Sequence, residues 1–391
     1  MHIAMLSSVH PALDMRIYFS EAKYLAARGH RVTLVVPAVP ADARVSANGI
    51  AFRSVWKATA RPWRWITVTQ VFLTALRTPA DVYHFHDPEL LPVGWLLARL
   101  RPRSLVVYDV HEDFPQTILN KYWIHPRLRR LVSRLADRLE KAFARRVHLL
   151  VQVTEPIYEK FRRTATPQVL VKNYPPLQEV GTALERCCIY TGRPFRICYA
   201  GGLSETSGLR QLIEAVAVLI RRGHPVECHL AGPWAPESYR KDVENLVDSR
   251  GLAEHVFFHP VIPYQAIWRF LQRMHVGVVS NQPAAQYEVA LARRLFDYMA
   301  AGLPLVVHDY GLAGELVRNR GVGLTVDVTR PEAIADGIEY FLTHPTEVAR
   351  MGARGQRLVR EQYNWESQIG ELVSAYEQGL DAVRTRGHHP S

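Results

Sequence analysis

Ala292-Arg293-Arg294-Leu295-Phe296-Asp297-Tyr298-Met299-Ala300-Ala301-Gly302-Leu303-Pro304 is the stretch on which the reading of this chain turns. It opens with an arginine pair, sets an acid three residues after the second arginine, and runs through small and apolar residues to a glycine and a proline. Gly302 can take the left-handed conformation that caps a helix, and Pro304 cannot extend one. The spacing predicts a short helix with Arg294 and Asp297 on one face near its start, followed by a strand at Leu305-Val306-Val307. Free N–H groups and the helix dipole favour an anion there. A cation for phosphates beside a carboxylate for a sugar diol is the chemistry of a nucleotide-sugar site. The same pair also reads as an i,i+3 salt bridge on a solvated face.

Outward from this stretch, the chain repeats one pattern in two halves. Residues 2–8 read as a strand, 17–28 as a helix stopped by Gly29, and 30–37 as a second strand. Residues 195–200 read as a strand, 201–207 as a loop, 209–222 as a helix stopped by Gly223, and 226–231 as the next strand. The junctions match as well: Arg28-Gly29-His30-Arg31-Val32 against Arg222-Gly223-His224-Pro225-Val226. Further strands are expected at 82–85, 105–108 and 149–153, then at 256–258, 276–280, 305–307 and 323–326. Apolar runs alternating with helical patterns imply parallel sheets with crossover helices. Two such openings imply two doubly wound domains. Residues 172–194 read as the linker and 365–383 as a helix, with 384–391 expected to be unstructured.

The 391-residue length fits two domains, because single cores rarely outgrow about 250–300 residues. With 48% hydrophobic and 22% charged residues, each half can bury a full core. The formal charge of +11 suits an anionic partner. Cys187, Cys188, Cys198 and Cys228 show neither metal-ligand spacing nor a disulfide framework, so a reducing cytosol is expected. The start of the chain lacks the basic leader of a signal peptide. No apolar run approaches the roughly 20 residues of a spanning helix.

Ligands of doubly wound sheets collect beyond the carboxyl ends of the strands. That rule selects loops 7–16, 86–91, 109–116, 201–208, 232–237 and 281–294. On these residues the chain resembles the family-four glycosyltransferases of GT-B fold (group 1). The resemblance rests on Tyr199-Ala200-Gly201-Gly202-Leu203-Ser204, Leu230-Ala231-Gly232 and above all Leu295 to Pro304. It also rests on Ser8-Val9-His10-Pro11 with Asp14-Met15-Arg16-Ile17, His86-Asp87-Pro88-Glu89, Asp109-Val110-His111-Glu112 and Lys172-Asn173-Tyr174-Pro175.

The resemblance implies an α/β protein of two Rossmann-like domains facing across a cleft. An acceptor-binding domain spans 1–175, a nucleotide-sugar-binding domain spans 190–365, and a helix at about 366–383 packs back on the first. It implies transfer of a sugar, with retention, from a nucleotide-diphosphate donor. The acceptor is a hydroxyl on a carbohydrate, lipid-linked or small molecule, in cell-surface polysaccharide, glycolipid or natural-product biosynthesis. No cofactor and no metal are implied, the nucleotide sugar being a co-substrate and the leaving phosphate helping to deprotonate the acceptor. Arg294 falls on the family's diphosphate-binding basic residue, and Asp297 on the carboxylate, usually Glu, that holds the ribose hydroxyls. His111 falls on a histidine near the reaction centre, so His111 and Arg294 are the expected catalytic residues. Gly201, Gly202 and Gly232 are expected to line the donor.

Three departures from the pattern stand out. Val289 occupies the position of a common acid, with Glu288 one place away as the candidate contact to the transferred sugar. Gly202 and Ser207 stand where an Arg and a Lys are usual, leaving the diphosphate to Arg294, Arg293 and backbone N–H groups. The first loop lacks the usual glycine pair, so Asp14 and Arg16, with His86 and Asp87, are expected to meet the acceptor through side chains. His86, Asp87 and Glu89 also resemble metal ligands in composition, but Asp87 and Pro88 equally fit a helix N-cap. Residues 172–176 are the expected hinge.

Arg127, Arg129, Arg130, Arg134, Arg138, Lys141, Arg145 and Arg146 punctuate a Leu-rich helical stretch, and Arg61-Pro62-Trp63-Arg64-Trp65 precedes an apolar run at 66–76. This composition fits contact with anionic lipid at the inner membrane face. The expectation preferred here is an amphipathic helix packed on the sheet with a solvated basic face. A nucleotide-sugar epimerase, a phosphorylase and a non-catalytic nucleotide-sugar-binding protein share the architecture. Spread charge without a recognised module weighs against nucleic-acid binding.

Overall fold

The computed structural model describes residues 1–39, 49–121, 123–181, 183 and 194–386. Cys187 and Cys188, part of the expected linker and the end of the expected tail lie outside the described residues. The chain divides into two compact units. One comprises Met1–Asn173 with Trp365–Ser391, the other Tyr174–Asn364.

The first unit is built on seven strands: β1 His2–Leu6, β2 Arg31–Pro37, β3 Ile50–Val55, β4 Val82–Phe85, β5 Leu105–Val110, β6 Leu149–Gln152 and β7 Gln168–Leu170. They form one parallel sheet in the order β3-β2-β1-β4-β5-β6-β7. β4, β5 and β6 are buried along their whole length, as strands covered on both faces must be. Side-chain alternation assigns the two faces. Ile3 and Met5 pack with Tyr24, Leu25, Trp365, Leu372 and Tyr376, whereas Ala4 and Leu6 pack with Val71, Leu90 and Leu97 on the other side. The helix Ile369–Arg386 therefore covers one face of the N-terminal sheet. It approaches so closely that a Cβ at Gly379 would lie 2.6 Å from Leu105 Cδ1. This helix continues past the expected end, and Arg384 Nη2 donates to Asp81 at 2.7 Å.

The second unit holds β8 Phe195–Ala200, β9 Val226–Ala231, β10 Val256–His259, β11 Val276–Val279, β12 Leu305–His308 and β13 Gly323–Val326. These also run parallel, in the order β10-β9-β8-β11-β12-β13. Helices Leu209–Arg221 and Pro331–Thr343 share the core with Phe195, Ile197 and Tyr199. In both units the order reverses beside the first strand, between β1 and β4 and between β8 and β11. The carboxyl-end crevice of an open sheet lies at such a switch. The decisive stretch forms the helix Arg293–Ala300; Gly302, at φ 75°, follows it.

The first helix departs from expectation. Met15–Ala22 is π-helical, and an α-helix takes over only at Lys23–Ala27. Its wider turn lets residues five apart, Arg16 and Glu21, meet on one face. The basic helix, Pro126–Ala144, turns Ser133, Glu140 and Ala144 inward. Its leucines 128, 131, 135 and 139 face out, which overturns the expectation of a helix packed through its apolar stripe.

Candidate functional site

In the second unit, Gly201 and Gly232 follow β8 and β9 and touch backbone to backbone. The Gly201 N–H donates to the Ala231 carbonyl at 2.9 Å. A Cβ at Gly232 would lie 1.9 Å from the Gly201 oxygen, and one at Gly201 would lie 2.6 Å from Arg294 Cζ. Both glycines hold positive φ, 151° and 144°. Their missing side chains let the Arg294 guanidinium lie against the strand-end loop, 4.6 Å over the Tyr199 ring. Arg294 has no carboxylate partner among the described residues, and its enclosed Nη1 has no hydrogen-bond partner. A guanidinium held in place without a counter-charge is ready for an anion.

Asp297 is buried, with Oδ1 3.6 Å from Arg293 Nε. The acid thus pairs with Arg293 at i+4, not with Arg294 as an i,i+3 bridge would require. Burial pushes the Asp297 carboxyl up to about 6, with Arg293 opposing the rise. Arg293 Nη2 also donates to the Tyr264 hydroxyl at 2.5 Å.

The loop from Gly202 to Gly208 offers no cation. Ser207 is buried; its hydroxyl donates to the Gly202 carbonyl at 2.7 Å, and the Ser204 N–H donates to Ser207 Oγ at 3.2 Å. Ser207 is therefore committed to shaping the loop ahead of the helix Leu209–Arg221, and Gly202 is exposed. Thr206 Oγ1 lies 3.0 Å from the Tyr287 hydroxyl, tying this loop to the short helix Ala285–Glu288. Glu288 is exposed and forms no ion pair among the described residues. Its backbone is seated on Gly311, where a Cβ would meet Glu288 Cα at 2.8 Å.

The first unit carries a second cluster, and it lies inward. Arg16 grips Asp109 with both arms, Nε to Oδ2 at 2.9 Å and Nη2 to Oδ1 at 3.1 Å, while Nε lies 3.1 Å from Glu21 Oε1. His84 Nε2 is 3.6 Å from Asp109 Oδ2, and His84 Nδ1 is 2.5 Å from the Tyr376 hydroxyl. His86 Nδ1 lies 3.2 Å from His111 Nε2, which is itself 3.2 Å from Asp109 Oδ2. His111 is the partly exposed member of this chain of contacts, with 19% side-chain exposure. Burial, and after it the Asp109 charge, pushes Glu21 well above the usual carboxyl range. Burial acts the same way on Asp109, but Arg16 and His111 outweigh it and hold Asp109 well below. Burial lowers both His84 and His86. One proton on Glu21 and one guanidinium thus balance two carboxylates in the interior.

Two expectations do not fit the side chains of the first loops. Arg16, His86 and Asp87 are enclosed side chains and do not present themselves to an acceptor. Asp87 is not a side-chain N-cap either: its Oδ2 accepts from Ser7 Oγ at 2.8 Å and the Ser8 N–H at 2.7 Å. Asp14 caps the first helix, accepting from the N–H groups of Arg16 at 2.8 Å and Ile17 at 3.0 Å. It also holds His10 Nδ1 at 3.1 Å. That contact, with Asp87 and Glu112 nearby, outweighs burial and raises His10 to about 9. Among the described residues the grouping able to hold a metal is Glu21, His84, His86 and Asp109, with ligand atoms within 4.8 Å of one another. Arg16 already supplies a positive charge to both of its carboxylates. Glu89 is occupied elsewhere, with Oε1 2.7 Å from Ser8 Oγ and Oε2 3.3 Å from Arg64 Nη1. Glu21 and His84 escaped sequence reasoning because no α-helical or strand spacing links them to Arg16 or Asp109. Tyr264, and the contact of Tyr199 with Arg294, escaped it because apolar strand and helix patterns hide aromatic contacts.

Two doubly wound parallel units, the second ending its strands on glycines beneath an arginine, are the architecture of the GT-B fold. Residues 19–173 match the family described as "Glycosyl transferase 4-like domain" and residues 191–358 match "Glycosyl transferases group 1". The chain belongs to this family. Curated relatives include alpha-D-kanosaminyltransferase of Streptomyces kanamyceticus, 25% identical over 46% of this chain and 45% of that protein. D-inositol 3-phosphate glycosyltransferase of Rhodococcus erythropolis is 28% identical over 46% of this chain and 40% of its own length. These matches span less than half of either relative. Sucrose-phosphate synthase from Thermosynechococcus elongatus shares the fold with a TM-score of 0.74 at 19% identity, covering 97% of this chain and 99% of that one. So does Anabaena HepE in complex with UDP-glucose, with a TM-score of 0.74 at 16% identity over 97% and 100% of the chains.

Proposed function

We propose that this protein transfers a sugar from a nucleotide-diphosphate donor to an acceptor hydroxyl, with retention of configuration. The acceptor belongs to a cell-surface glycan, a glycolipid or a natural product. The observation that carries the reading is Arg294, held over Tyr199 and Gly201 with an enclosed nitrogen that has no partner. Negative charge builds on the departing diphosphate as the glycosidic bond breaks, and a preformed cation with adjacent amide dipoles stabilises it without rearranging. Asp297 receives the ribose hydroxyls, with Arg293 holding it in place. Glu288 reaches the transferred sugar, and the Gly201 and Gly232 backbone lines the diphosphate. The leaving phosphate takes the acceptor proton, so no metal or cofactor is needed for charge neutralisation. His111, kept in one orientation by Asp109, is the catalytic residue assigned to the first unit, and Asp14 with its partner His10 stands on the acceptor side.

Support for a nucleotide-sugar donor comes from the family matches and from the HepE complex with UDP-glucose. A donor screen read by nucleotide release in the presence of acceptor hydroxyls, with product stereochemistry assigned, tests the reading. One donor should release nucleotide only with acceptor present, and His111→Ala should abolish release while donor still binds. Donor binding with no release for any acceptor would make the chain a nucleotide-sugar-binding protein. An altered sugar recovered without transfer would make it an epimerase.

A further inference from the structure

The helix Pro126–Ala144 wears its apolar side outward. Leu128, Leu131, Leu135 and Leu139 are 52%, 64%, 54% and 50% exposed. At 100° per residue they fall within an arc of roughly 80°, and Arg127, Arg130, Arg134 and Arg138 fall within an adjoining arc of about the same width. All four arginines are exposed and have no ion-pair partner among the described residues. The reason lies on the inner side of the helix, which is anchored by polar bonds. Ser133 Oγ donates to the Pro115 carbonyl at 2.7 Å, and Glu140 accepts from the Tyr108 hydroxyl at 3.0 Å and Lys160 Nζ at 2.8 Å. With that register fixed, the leucines cannot reach the core. Trp123, just ahead of the helix, is exposed and stacked under the Arg61 guanidinium at 3.1 Å. Arg61 opens the short turn carrying the exposed Trp63, and exposed Trp65 follows at the start of helix Arg64–Leu76.

We propose that this surface seats the protein on an anionic lipid bilayer, with the leucine ridge in the acyl boundary and the arginine ridge on phosphates. Charge selects the occupant. A second copy of the chain would bring the same arginine ridge against itself, and the like charges would repel. A zwitterionic surface, whose phosphates are already balanced by choline ammonium groups, would offer the four guanidinium groups no net attraction. An anionic interface satisfies both ridges at once, because tryptophan, leucine and arginine are the residues that settle at headgroup depth. No described helix is long and apolar enough to cross a membrane, so the contact is one of lying on the surface. It stands apart from the donor reading and does not depend on it.

Flotation of the full chain with vesicles of phosphatidylglycerol in phosphatidylcholine, compared with phosphatidylcholine alone, tests the proposal. The protein should float with the anionic vesicles, and less so as salt rises. Leu131→Ser with Leu135→Ser should weaken binding about tenfold, and Arg130→Glu with Arg134→Glu at least as much. All four positions are exposed, so the melting temperature should stay at the wild-type value. Recovery in the unbound fraction, or unchanged flotation of the folded leucine variant, would overturn the proposal. So would a dimer in solution that the leucine variant dissociates, because the ridge would then be covered by a second copy.

Discussion

Asp297 shows how much one residue's surroundings decide. A carboxylate for sugar hydroxyls must be ionised, yet burial raises this one to about 6. The unfolded chain ionises near the ordinary 3.8. The folded-state value is the higher, so ionising Asp297 costs stability as pH rises through about 6, and that stability is fully present only in acid. Donor affinity should move in the opposite direction, strengthening as pH rises through about 6. Calorimetric titration of donor across that range should show the rise, and Asp297→Asn should flatten it. Gly232→Ala should cost about 1–3 kcal/mol of stability and weaken donor binding, because the new Cβ would sit on the Gly201 carbonyl. Chemical denaturation checks the first effect; an unaltered midpoint would count against the backbone packing described. The place of Arg294 at a helix start and of Gly201 and Gly232 just after strands was legible in the sequence, because residue type and position along an element are local facts. The pairing of Asp297 with Arg293 was not, since i+3 and i+4 partners compete for one carboxylate and packing decides between them.

Among the elements, the π-helical turn Met15–Ala22 has the largest effect on the site. It brings Arg16 and Glu21 together beside Asp109. Arg16→Met would leave the buried Asp109 carboxylate, beside protonated Glu21, without its guanidinium, a loss of about 3–5 kcal/mol near neutral pH. The loss should shrink as pH falls, because protonation removes the uncompensated charge. Denaturation curves at neutral and acidic pH test this; an equal loss at both would mean that Arg16 acts through packing. Sequence pattern could not expose this cluster, since its members come from one helix and two strands with no shared period. Element reading failed elsewhere for a different reason. β3 exposes half of its residues and β7 has three, all half-buried, and such edge strands lack the apolar run that made β4, β5 and β8 visible.

For the whole molecule, the return of the C-terminal helix to the first unit matters most. Trp365, Ile369, Leu372 and Tyr376 are fully buried in the N-terminal core. Ending the chain at residue 364 would uncover that face of the sheet, while the second unit would keep its own core. Limited proteolysis of the truncated chain should digest the first unit and spare a fragment near Tyr174–Asn364. Trp365→Ala in the full chain should cost about 3–5 kcal/mol. The two-unit plan was readable because buried parallel strands announce themselves as apolar runs between helices, and the repeated Arg-Gly-His junction marks where each unit opens.

Calorimetric binding of a panel of nucleoside diphosphates, in the presence of a metal chelator, bears most directly on the central claim. At least one nucleotide should bind the wild-type chain without a divalent ion, and Arg294→Ala should weaken it about ten- to a hundredfold, as loss of a charge-assisted contact requires. Unchanged affinity in the folded variant would contradict the assignment of Arg294 as the diphosphate cation.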